Sequence, residues 1–108
     1  MKGLHFVDQA FVDLEDILIY TISTFGTDQA EVYRARLLDR CYRIAAGEIA
    51  GRDCSILLGR TSRSILKFAL AEKHYVIFME DEDAVVVAGF LHQSSDLPRQ
   101  IEKLALRV

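Results

Sequence analysis

Two apolar β-type runs, Tyr75–Met79 and Ala84–Leu91, flank an acidic tip, Glu80-Asp81-Glu82-Asp83. Runs of this kind bounded by turn-forming residues read as the two strands of a hairpin. Strands so apolar need cover on at least one face. The second run ends abruptly in His92-Gln93-Ser94-Ser95-Asp96-Leu97-Pro98. A strand end there delivers one imidazole and several polar groups to the rim of a sheet.

The cover comes from upstream. Phe11, Leu14, Leu18, Ile22 and Phe25 recur at three- and four-residue steps, the core stripe of an amphipathic helix, while Asp13, Glu15 and Asp16 lie off it. Asp8 is placed to cap this helix. Gly26 suits the left-handed residue that ends it, and Thr27 or Asp28 caps the next. That second helix, from about Asp28 to Ala46, sets Ala30, Tyr33, Leu37, Cys41 and Ile44 on one side, with Arg36, Asp39, Arg40 and Arg43 largely elsewhere. Two such helices joined by Gly-Thr-Asp make an antiparallel hairpin whose shared stripe needs something flat to lie on.

Gly3–Val7 reads as a short first strand. Glu48–Arg60, with two glycines and no period, reads as a loop. Arg63–Leu70 alternates as a strand does, with Leu66, Phe68 and Leu70 on one side and Ile65, Lys67 and Ala69 on the other. Gly89, inside the last strand, marks a bulge or a close backbone approach. Beyond it Ser95 or Asp96 caps, Pro98 fits a first turn, and Ile101, Leu104 and Ala105 complete a short helix. The order β-α-α-β-β-β-α predicts one α+β domain over residues 1–108. Its helical hairpin packs on one face of a small, mainly antiparallel twisted sheet. The opposite face is expected to be shallow, partly polar and free for docking.

At 108 residues the chain can bury a single core. No run reaches the roughly 18–20 apolar residues of a membrane span, and the N-terminus lacks the apolar block of a secretory signal. Cys41 and Cys54 show no metal-ligand spacing and read as reduced structural thiols of a cytoplasmic protein. A net charge of −3 speaks against direct nucleic-acid binding by the chain alone. Cations nevertheless concentrate in mid-chain, at Arg34, Arg36, Arg40, Arg43, Arg52, Arg60, Arg63 and Lys67. Gly47–Gly51 lacks the residues of a phosphate loop, Cys54 has only Arg52 as a basic neighbour, and Ser94, Ser95 and Asp96 are spaced for helix capping. No cofactor and no metal is expected.

Five segments, AFVDLEDILIY at Ala10–Tyr20, FGTDQAEVYRARLLDRCYRIA at Phe25–Ala45, GRDCS at Gly51–Ser55, HYVIF at His74–Phe78 and LHQSSDLP at Leu91–Pro98, follow one another in register. Together they resemble the ParE branch of the ParE/RelE toxin superfamily. The resemblance implies the toxin of a toxin–antitoxin pair, inhibiting DNA gyrase by binding it and silenced by a cognate ParD-like antitoxin. It also implies an alternative, because RelE-like relatives cleave messenger RNA on the ribosome. A third reading, a non-toxic binding scaffold of the same fold, draws on the acidic charge.

Arg60, Arg63 and Lys67 form a candidate cationic patch toward gyrase or RNA phosphate, and Lys67 also reads as a snorkelling edge residue. Under the nuclease reading His92 would serve as general acid or base and Arg63 would steady the phosphate, with Lys67 beside them. Under the binding reading Arg60, Arg63, Lys67, His92, Gln93 and Arg99 contact partners and no residue is catalytic. Tyr20, Tyr33, Tyr42 and Tyr75 are expected to line the core.

Overall fold

The acidic tip turns because Asp81 folds back on the chain: its Oδ1 accepts the N–H groups of Asp83 and Ala84, each at 2.8 Å. An aspartate accepting from the backbone two and three residues on is a turn former in its own right. On either side of it, β4 (His74–Glu80) and β5 (Ala84–His92) pair antiparallel from Glu80↔Val85 back to His74↔His92. The computed structural model describes residues 1–61 and 63–108. In it, β3 (Lys67–Ala71) pairs antiparallel with β4, and β1 (Gly3–Phe6) pairs parallel with β5. A two-residue β2 (Arg52–Asp53) closes the far edge, giving the order β1-β5-β4-β3-β2.

The helical hairpin is α1 (Asp8–Phe25) and α2 (Thr27–Ala45), joined at Gly26, whose φ of +93° a side chain would disfavour. α2 buries Ala30, Leu37, Cys41 and Ile44, as its stripe predicts, and half-buries Tyr33. The α1 stripe needs correcting. Its buried line is Ala10, Leu14 and Thr21, with Ile17 and Leu18 half-buried, while Phe11, Ile22 and Phe25 face outward. Ala10 is small enough to bring the helix backbone close to the sheet, which rolls the bulkier residues toward its rim. The hairpin, Val76, Phe78, Val85, Val87 and Phe90 form one core cluster.

The opposite sheet face is not free, contrary to expectation. Glu48–Arg60 is no plain loop: besides β2 it holds a one-turn α3 (Ser55–Leu58). The Asp53 side chain fastens this segment by accepting the N–H groups of Ser55 at 2.8 Å and Ser64 at 3.0 Å. Those bonds hold its carboxyl below the usual range. Together with α4 (Leu97–Ala105), α3 closes a second cluster around Cys54, Leu66, Phe68, Ile77, Ala88, Leu91, Ile101 and Leu104. Apolar side chains on both faces of three strands leave no other stable outcome, since each buried one contributes roughly 1.5–3 kcal/mol. β3 starts at Lys67, later than predicted, but its alternation holds: Phe68 joins the second cluster, Ala69 and Ala71 the first.

Gly89 is the close approach its position in β5 implied. The register slips between Ile77 and Phe78, so Ala88 stands as an extra residue in β5. β1 accompanies β5 only from Ala84 to Val87. Past that point Asp13 and Arg107 take the place of a strand. Asp13 Oδ2 accepts the Phe90 N–H at 3.3 Å, and Arg107 Nη1 donates to the Ala88 carbonyl at 3.1 Å and to Asp13 Oδ2 at 2.7 Å. A Cβ on Gly89 would sit 2.5 Å from Asp13 Oδ2 and 2.9 Å from Arg107 Nη1. Gly89→Ala is therefore expected to cost about 1–3 kcal/mol, and Arg107→Ala about 1–2 kcal/mol, because it strands a half-buried carboxylate. Thermal denaturation reads both: each should lower Tm by roughly 4–8 °C per kcal/mol. A Gly89→Ala protein as stable as the parent would contradict the packing described.

At the other end of β4, Glu80 lies between Lys67 Nζ at 2.9 Å and Lys2 Nζ at 3.0 Å, tying β3, β4 and the chain start. The Lys67 hydrogen bond, and then that of Lys2, hold its carboxyl below the ordinary glutamate value. A carboxyl depressed by folding adds stability that is complete above its unfolded pKa and is lost as pH falls through its folded one. Glu80→Gln should therefore lower Tm at neutral pH and flatten the acid limb of the Tm–pH curve. Parallel curves for parent and variant would deny Glu80 this role.

Candidate functional site

The side chains not used up by the two cores gather where α1, α2, the β3–β4 turn and the end of β5 meet. They enclose a cleft of about 780 Å³. Its α1 wall is Asp16, Ile17, Tyr20, Thr21 and Phe25; α2 adds Gln29, Tyr33 and Arg36, and the turn and β5 bring Glu72, Lys73, His74, His92 and Ser94. Glu72 holds a positive φ of 59°, which tightens this turn, and its carboxylate lies 3.7 Å from Arg36.

A polar chain crosses the floor. The Tyr33 hydroxyl accepts the Lys73 N–H at 3.2 Å and lies 2.5 Å from His74 Nδ1. The His74 ring meets the His92 ring edge-on, centroids 5.0 Å apart, because the two residues are direct cross-strand partners. His92 Nδ1 in turn accepts the Ser94 N–H at 3.1 Å and faces the Ser94 hydroxyl at 2.7 Å. Burial, and then the neighbouring His92, push the His74 pKa down to about 4, so its imidazole is neutral at ordinary pH. Burial likewise raises the Tyr33 phenol, against the pull of the Lys73 N–H.

The predicted site residues are not assembled in one place. His92 lines the cleft, and the exposed Gln93 follows it at the end of β5. Lys67 is bound to Glu80, at the end of β4 opposite His74. Arg60 pairs with Glu102 of α4, Arg63 is exposed beside the loop held by Asp53, and Arg99 is exposed on the first turn of α4. His92, Arg63 and Lys67 therefore do not converge on a common phosphate. Both thiols are buried in different clusters, and burial raises each to about 12, which keeps them protonated. Among the described residues, no cluster of three or more His, Cys, Asp or Glu is arranged to hold a metal, and no helix is long and apolar enough to cross a membrane.

Sequence reasoning missed His74 and the role of Tyr33. The signal available was weak: a histidine opening one hairpin strand and another closing its partner. It also missed that α1 leaves large apolar side chains exposed: Ile19, Tyr20 and Phe25 are 56%, 66% and 63% exposed, and Phe11, Val12 and Ile22 are exposed as well.

Comparison with known proteins agrees with this architecture. The family profile described as "ParE toxin of type II toxin-antitoxin system, parDE" matches residues 4–97. A Toxin ParE of Escherichia coli is 37% identical over 91 residues, 82% of each chain. A chain of the chromosomal ParDE TA system from P. aeruginosa shares the fold, with a TM-score of 0.68 over 85% of this chain and 96% of that one, at 14% identity. On the match over residues 4–97 and the 37% identity, the chain belongs to the ParE toxin family of type II toxin–antitoxin systems.

Proposed function

We propose that the chain inhibits DNA gyrase by binding it, catalyses no reaction of its own, and is silenced by a cognate ParD-like antitoxin in the cytoplasm. The observation that carries this reading is the set of large apolar side chains that α1 leaves exposed, Phe11, Val12, Ile19, Tyr20, Ile22 and Phe25. Such a concentration of exposed apolar side chains on a folded chain marks a place where another macromolecule sits. A helix laid against a helical hairpin reads such side chains through residues at three- and four-residue spacing. Arg34, Arg36 and Arg43 are exposed on α2, which suits an antitoxin segment that carries acids along its apolar stripe. The scattered positions of Arg60, Arg63, Lys67, His92, Gln93 and Arg99 favour contact over an extended protein surface rather than one reaction centre.

A supercoiling assay tests the first half. Purified chain at micromolar concentration should stop gyrase from supercoiling relaxed plasmid, and an undisturbed enzyme would rule the mechanism out. The second half is tested on α1. Ile19→Asp is expected to weaken antitoxin binding about ten- to hundredfold, or about 1.4–2.8 kcal/mol, while gyrase inhibition persists. Undiminished neutralisation of that variant would move the antitoxin off this face.

A further inference from the structure

We infer that the floor of the cleft is a receptor for a single carboxylate side chain of a protein partner, held by the Nε2–H groups of His74 and His92. The inference rests on the antitoxin reading above and names the chemistry by which that partner would be recognised. The hydrogen bonds fix the donors. The Ser94 backbone N–H can only donate, so His92 Nδ1 is an acceptor and the His92 proton lies on Nε2. The Tyr33 hydroxyl already accepts the Lys73 N–H, and we assign its own proton to His74 Nδ1, which again leaves the imidazole proton on Nε2. Among the described residues neither Nε2 has a hydrogen-bond partner, although both rings line the same cleft and touch each other.

Two unpartnered N–H donors side by side match the two acceptor oxygens of a carboxylate. Lys73 on the turn and Arg36 on α2 line the cleft, with Glu72 paired to Arg36 and Asp16 on α1 as the remaining acid. These four formal charges cancel, so the two N–H donors rather than net charge carry the recognition. A partner carrying Asp or Glu next to apolar residues satisfies the whole cleft, its acid at the imidazoles and its apolar neighbours against Ile17, Tyr20 and Phe25. A phosphate ester would bring a second charge toward Asp16 and a larger headgroup onto a floor whose two rings are already in contact.

Histidine ring NMR of the full chain, titrated with sodium acetate against sodium chloride at equal ionic strength, tests the site. Acetate should shift the His74 and His92 ring signals saturably and together, leaving His5, which lies outside the cleft, unmoved. His92→Gln should abolish the acetate response of His74, and His74→Gln, which preserves an acceptor for Tyr33, that of His92. A response linear in acetate, equal at His5 or intact in the Gln variants overturns the inference, as does a larger response to inorganic phosphate. Acetate needs no antitoxin, so a failed titration beside an antitoxin that still neutralises the chain sinks this proposal alone.

Discussion

The pairing of Asp13 with Arg107 is the contact on which the rest of the architecture leans. It joins residues 94 positions apart and does so at the point where β5 loses its β1 neighbour. An open strand edge inside a covered sheet would leave backbone donors and acceptors without partners, which folded chains rarely tolerate. Asp13 and Arg107 fill that place by bonding the Phe90 N–H and the Ala88 carbonyl. Because Asp13 belongs to α1 and Arg107 follows α4, the same contact sets how closely each covering layer approaches the strand. Gly89 is the concession this geometry requires, since there is no room for a side chain between the two.

A sheet covered on both faces changes where recognition is possible. The hairpin strands are apolar on each side, and α3 and α4 take the side that the chain order seemed to leave open. What remains outward is the rim of the sheet and the outer surfaces of helices. α1 is the element that keeps the most large apolar side chains exposed there, and exposed apolar surface of that kind is where another macromolecule can dock.

Much of the framework was legible in the chain. The β4–β5 hairpin was legible because the apolar runs are long and the tip between them is made of turn-forming acids; α2 because its apolar residues fill one stripe only. α1 misled because it is apolar on more than one side. Periodicity reports that Phe11, Ile22 and Phe25 share a face, not whether that face meets the sheet or a partner. α3 was invisible because its single turn, Ser55–Leu58, is too short for a helical period to repeat. The role of Arg107 and the meeting of His74 with His92 depend on long-range register, including a bulge whose position a glycine hints at but does not fix.

The two ends of β4 show why electrostatic recognition should concentrate at one of them. At Glu80 the carboxylate is closed between Lys2 and Lys67, so an incoming charge finds its opposite already taken. At His74 and His92 the Nδ1 atoms are occupied and, among the described residues, the Nε2 atoms are not, beside Lys73 and an Arg36–Glu72 pair that is long and exposed. Exposed ion pairs contribute little and exchange readily. An acid arriving on a partner can therefore displace Glu72 from Arg36 at small cost, whereas no comparable exchange is open at the Glu80 end. The imidazole end combines available donors, replaceable charge pairs and an adjoining apolar wall, which is the combination a helix bearing both acids and apolar side chains needs.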